Sequence, residues 1–131
     1  LETDNFIAYV PFAPHEPHEV IMAPKNHFPN FAACLENKEL AMEFASMVQN
    51  IMIRIKIVLQ GKNWRGLQDP DHLFCLYTAP YDEDKGDGYY HWFLDFLPRT
   101  TYKVGHERGT GEDVISILPE EAAALLRDAA P

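Results

Sequence analysis

The run Tyr89-Tyr90-His91-Trp92-Phe93-Leu94-Asp95-Phe96-Leu97-Pro98-Arg99 constrains this chain more than any other segment. It is aromatic and aliphatic almost throughout and ends on a proline, which favours an extended strand over residues 90–97. Alternate residues on a strand share a face, so His91, Phe93 and Asp95 point one way and Trp92, Leu94 and Phe96 the other. The second face is wholly apolar and needs a layer packed on it. Residues 37–60 can supply that layer: Leu40, Phe44, Met47, Val48, Ile51, Ile55, Val58 and Leu59 recur at three-and-four spacing, the stripe of an amphipathic helix. Asn37 is placed to cap it, Glu39 lies at the positive end of its dipole, and Gly61-Lys62 is a stop signal. Residues 51–57 also alternate like a strand, so the final turns carry a second reading.

The other elements are shorter. Residues 6–10 form a β-branched and aromatic run broken by Pro11 and Pro14, and an extended pattern resumes over 18–22 before Pro24, giving two strands joined by a proline-rich bend. Residues 62–72 read as a polar connection, 73–77 as a third strand and 81–88 as an acidic, glycine-containing mobile loop. A glycine-rich turn follows around Gly105, Gly109 and Gly111, then an apolar run over 114–118 and a short C-terminal helix opened by Pro119, with Glu120 and Glu121 in its first turn. Strands and helices mix without a repeating strand-helix-strand beat. That pattern predicts an α+β fold with a mainly antiparallel sheet.

With 131 residues the chain suffices for one domain and one core. A net charge of −9 disfavours a nucleic-acid partner, which would need clustered Lys and Arg. No apolar run approaches the roughly 18–20 residues of a membrane span, and Leu1 to Asn5 lack the basic flank and apolar stretch of a signal peptide. The two cysteines, Cys34 and Cys75, have neither disulfide-framework nor thiolate-zinc spacing and are expected to be reduced and buried, as in a cytoplasmic protein. The missing initiating Met points to a fragment or a trimmed start.

The order of short motifs along residues 6–127 resembles the C-terminal half of galactose-1-phosphate uridylyltransferase and its nucleotidyltransferase relatives, a branch of the histidine-triad fold. The resemblance rests on Phe6-x-Ala8-x-Val10-Pro11-Phe12-Ala13, Pro17-x-Glu19, Pro24-Lys25-x-His27, Ala79-Pro80, His91-Trp92, Pro98-Arg99, Gly105-x-Glu107-x-Gly109-Thr110-Gly111 and Pro119-Glu120-x-Ala122-Ala123-x-Leu125-x-Arg127. It implies a histidine-triad-like domain over residues 1–131. A histidine-triad enzyme sets histidines at alternate positions before a Pro-Arg, and the middle imidazole attacks phosphorus. Here that position is Phe93, whose ring has no lone pair, so this strand cannot form a phospho-histidine.

In the family an amino-terminal domain carries a His-Pro-His nucleophile and often zinc; neither is present here, and no cofactor is expected in this chain. The resemblance implies a non-nucleophilic half that supplies packing surface, homodimer contacts and sugar contacts to an active site completed by another subunit. Its ligand would be a nucleotide-sugar or sugar phosphate. A second metal site known in some members maps to Glu19, Tyr77, Phe93 and Asp95, where only the glutamate is kept, so no metal is expected. Glu107 matches a position that hydrogen-bonds sugar hydroxyls; bracing the glycine turn is the other reading of that carboxylate. Lys103 lies near the family's phosphate-contacting lysine, and the family's glutamine falls near Ile115, where the contact is lost.

Among the remaining histidines, His15 and His18 imitate a ligand pair, yet Pro14 and Pro17 deny them helical register and make them turn residues. His27 reads as a structural hydrogen-bonding group, His72 and His106 as surface residues, and His91 as a remnant of the triad face. Gly105-x-x-x-Gly109-x-Gly111 has the wrong spacing for a phosphate-binding loop. Two functions compete: an inactive-alone domain of a hexose-1-phosphate nucleotidyltransferase, and a degenerate binding or dimerisation module. A free-standing hydrolase is opposed by Phe93. For a dimer, the long helix and the 90–97 strand are the expected surfaces.

Overall fold

The computed structural model describes residues 1–60, 71–80, 90–100 and 102–130. The expected helix stop at Gly61-Lys62, most of the 62–72 connection and the 81–88 loop lie outside these residues. Four strands, β1 (Phe6–Tyr9), β2 (Val20–Pro24), β3 (His72–Tyr77) and β4 (Phe93–Pro98), form one antiparallel sheet in the order β1-β2-β4-β3. The helices are α1 (Phe31–Glu36), α2 (Lys38–Gln60), α3 (Gly105–Thr110) and α4 (Pro119–Asp128). The α+β expectation holds.

Residues 51–57 are helical, not extended, because Met47, Ile51, Ile55, Val58 and Leu59 are all buried on one side of α2. A strand would have thrown half of that apolar surface to solvent. Asn37 caps α2 as expected, its Oδ1 accepting from the backbone N–H of Glu39 at 2.9 Å and Leu40 at 3.4 Å. The same residue ends α1, which the apolar periodicity did not reveal because α1 has only six residues. Asn37→Ala is expected to cost about 1 kcal/mol of stability, read by urea unfolding, since both N–H groups would then rely on water.

The α2 stripe packs on the sheet face formed by Phe6, Ala8, Val20, Met22, Leu94 and Phe96, and Leu126 of α4 closes one end. Trp92 anchors this core. It is 0% exposed and its indole meets Phe31, Phe44 and Phe6 with ring centroids 5.0, 6.0 and 6.2 Å away.

Three boundaries differ from the sequence expectation. β4 begins at Phe93, because its ladder with β2 ends at Met22–Leu94 and that with β3 ends at Tyr77–Phe93, leaving no strand among the described residues for residues 90–92 to pair with. His91 is therefore not a strand residue. β2 starts at Val20 because His18 adopts a left-handed backbone, φ 64°, which no strand accommodates. The glycine-rich segment is a helical turn, α3, ended by Gly111 at φ 78°, while the 114–118 run forms no strand.

Candidate functional site

Strand register places Phe93 and Asp95 on the sheet face opposite α2, with Ile21 and Cys75 on either side of Asp95 and Tyr77 across from Phe93. Tyr77 and Phe93 stack, with centroids 4.5 Å apart and planes within 16° of parallel. Two positions that would carry imidazole ligands by resemblance are thus filled by an aromatic pair.

Next to this stack lies a buried carboxylate pair. Asp95 is 5% exposed and Glu19 2%. Glu19 is aimed inward by the strained turn before β2: its Oε2 accepts from the backbone N–H of His15 at 2.5 Å and of Glu16 at 3.2 Å, while its own N–H donates to the Glu16 carbonyl. Asp95 Oδ1, by contrast, is buried with no hydrogen-bond partner among the described residues. Its carboxyl is pushed up from 3.8 to about 6, first by burial and then by the Glu19 charge, with His15 opposing. The phenol of Tyr77 is also raised, chiefly by the neighbouring Cys75 sulfur, then by burial and the Asp95 charge. Glu19, Tyr77, Phe93 and Asp95 therefore do converge on one face, with Cys75 added. Glu19→Gln is expected to bring the Asp95 carboxyl down toward its ordinary value, because it removes the second cause of the shift. Carboxyl ¹³C titration by NMR checks it, and an unmoved midpoint would show that burial alone sets the value.

These residues do not fit the metal that the resemblance suggests for such positions. A phenyl ring donates no lone pair, and its stacking on Tyr77 occupies the space of a ligand. Among the described residues no three His, Cys, Asp or Glu side chains are placed to hold an ion.

His91 lies just outside the strand, its Nε2 donating to the Pro24 carbonyl at 2.6 Å and its ring edge-on to His27 at 5.4 Å. It shares with Phe93, Tyr9 and Ile21 the lining of a shallow pocket of about 270 Å³. The imidazole is committed to closing the end of β2, which is a bracing role.

Glu107 and Lys103 occupy an exposed arm, residues 102–118, that includes α3. Glu107 Oε2 accepts from Val104 N–H at 3.0 Å and Oε1 from Val114 N–H at 3.2 Å, so both oxygens brace the turn. The Lys103 ammonium pairs with Asp113 Oδ1, and Asp113 Oδ2 is 2.8 Å from His15 Nδ1. Asp113 thereby ties the arm to the turn that aims Glu19. This carboxylate raises the His15 pKa by hydrogen bonding and is itself lowered, first by Lys103 and then by His15. The link escaped sequence reading because His15 and Asp113 are 98 residues apart and neither belongs to a periodic pattern. Both cysteines are free, Cys34 buried and Cys75 half-buried.

The chain is 29% identical over 128 residues to ADP-glucose phosphorylase of Arabidopsis thaliana and 28% identical over 134 residues to galactose-1-phosphate uridylyltransferase of Thermotoga maritima. Each match takes in 97% of this chain, which spans 34% and 39% of those two proteins. Among solved structures, ADP-glucose phosphorylase from Arabidopsis thaliana with bound ADP-glucose superposes with a TM-score of 0.75 at 26% identity, over 97% of this chain and 38% of that one. A HIT-like protein from Bartonella henselae involved in cell-cycle regulation, 19% identical, superposes with a TM-score of 0.62 over 98% of this chain and 83% of its own. That likeness shows the fold alone, which is histidine-triad-like. No protein-family model matches the chain. The resemblance drawn from the motifs is thus borne out across nearly the whole sequence, as similarity to part of these longer enzymes.

Proposed function

We propose that this chain is the non-nucleophilic C-terminal domain of a galactose-1-phosphate uridylyltransferase-like hexose-1-phosphate nucleotidyltransferase. The observation that carries the reading is Phe93, stacked on Tyr77 where an attacking imidazole would have to stand. The phosphorus chemistry then belongs to a nucleophile elsewhere in a longer cytoplasmic protein, together with any zinc. This domain's part is to pack, to pair and to offer polar groups to a nucleotide-sugar or sugar phosphate.

Two features support that division of labour. The arm carrying Glu107 stands exposed from the body while its turn is held in one shape by the Glu107 carboxylate. A second lone pair on each oxygen remains for vicinal hydroxyls of a sugar. The second feature is β3, which sits at an edge of the sheet with Leu73, Phe74, Leu76 and Tyr77 between 43% and 46% exposed. Such an edge, without a charged or proline gatekeeper, is suited to lie against another part of a larger assembly. β4 lies inside the sheet, so among the described strands an edge open to pairing is offered by β1 and β3 and not by β4.

One observation favours a second reading, a degenerate binding or dimerisation module: Lys103 is engaged by Asp113 and is not free to meet a phosphate. Amide NMR of the chain titrated with ADP-glucose, UDP-galactose and glucose 1-phosphate separates the two. Saturable shifts in residues 103–113, lost in Glu107→Gln, are the expected result. Silence from every ligand would favour the module, and turnover of a nucleotide-sugar by this chain alone would overturn both.

A further inference from the structure

At the β1 edge, where α2 and α4 meet the sheet, the fold forms a half-open cleft of about 470 Å³ unrelated to the carboxylate pair or the arm. That volume lies in the range of roughly 300–1,000 Å³ typical of small-molecule sites. Its floor is apolar, built from the buried side chains of Val20, Ile51 and Leu126. Its rim carries two guanidinium groups, Arg54 and Arg127.

Arg54 is fixed in place. Its Nε donates to Asn50 Oδ1 at 2.5 Å, and Nη1 donates to the carbonyls of Leu126 at 3.0 Å and Arg127 at 2.8 Å, closing the C-terminal end of α4. Arg127 is exposed and makes no ion pair among the described residues. Among the described residues that line the cleft the one carboxylate is that of Glu2, which is drawn away to Lys25 Nζ at 2.7 Å.

We propose that this cleft is a binding site for an amphipathic monoanion, an aliphatic or aryl carboxylate whose apolar body fills the space between β1, α2 and α4 and whose carboxylate meets Arg54 and Arg127. An uncharged apolar molecule would bury the floor but leave the guanidinium groups without an anion. A cation would meet like charge. A polyphosphate would bring more charge than two guanidinium groups balance and nothing apolar to cover the floor. Arg54 has its Nη2 hydrogens left for a ligand, while the planar fork of the exposed Arg127 matches a carboxylate in two hydrogen bonds, which selects that head group.

Calorimetric titration of the chain with octanoate, octan-1-ol and octylammonium tests the proposal. Octanoate is expected to bind saturably at one site, the alcohol about tenfold more weakly and the ammonium not at all. Arg127→Glu should weaken octanoate about tenfold and leave the alcohol unchanged. Ala123→Trp, which fills the cleft from α4, should abolish both while far-UV circular dichroism stays that of the parent. Independently of either variant, octanoate should shift the methyl resonances of Ile51 and Leu126. The proposal is overturned by absence of octanoate binding at millimolar concentration, by equal binding of octylammonium, or by methyl shifts that appear elsewhere in the core.

Discussion

Trp92→Ala is expected to lower stability by about 3–5 kcal/mol, enough to leave much of the chain unfolded, because nothing else spans the gap that the indole fills. Trp92 is 0% exposed and touches residues from three separate stretches: Phe6 in β1, Phe31 in α1 and Phe44 in α2. Removing it leaves a cavity walled by rings that are themselves anchored. Those walls cannot collapse freely, which places the cost toward the upper end for a large-to-small change. Trp92→Phe provides the internal control. The indole Nε1–H is buried with no acceptor among the described residues, so phenylalanine loses volume but also removes an unsatisfied donor. Its expected cost is below about 1.5 kcal/mol. Urea unfolding of the three proteins measures both values, and equal losses for the two variants would show that volume at this position matters less than the indole itself.

The second large effect is a stability that falls as pH rises. The Asp95 carboxyl titrates near 3.8 when unfolded and at about 6 in the fold, where burial and then Glu19 disfavour its charge. Between those values the folded chain keeps a proton that the unfolded chain releases. Asp95 therefore contributes its full share below about pH 4, and that share is lost as pH climbs through about 6. At roughly 1.4 kcal/mol per pH unit the difference amounts to about 3 kcal/mol. Asp95→Asn keeps the shape and never ionises. It is expected to match the parent near pH 4 and to exceed it by about 2–3 kcal/mol near pH 8. Comparing variant with parent is essential, since the lowered carboxyls of Glu43 and Asp113 act with the opposite sign. A gap that stays constant from pH 4 to pH 8 would show that the charge at Asp95 costs the fold nothing.

The two predictions also mark how far the sequence carried. Trp92 was legible as a core residue because alternation with Leu94 and Phe96 is a property of an extended backbone, and the same parity holds one residue before the strand begins. The helix at 38–60 was legible for the same kind of reason, and Asn37 because a capping side chain acts within two or three residues of itself. The consequence of burying Asp95 was not. Its neighbours are Glu19, brought in by the left-handed turn at His18, and Cys75, brought in by the β3–β4 register. His91 shows the reverse case. Parity in the sequence put it on the triad face, but the ladders stop short of it and its ring turns to the Pro24 carbonyl instead.

What the sequence settled unaided is the identity of the side chain at 93 and the local periods of strand and helix, since the first is covalent and the second follows from backbone geometry over a few residues. Only the tertiary structure decided that Glu19 and Asp95 share one buried face, that Asp113 ties the exposed arm to His15, and that Arg54 and Arg127 crown an apolar cleft. Each of these joins residues far apart along the chain, and their meeting depends on strand order and register, which no local pattern encodes.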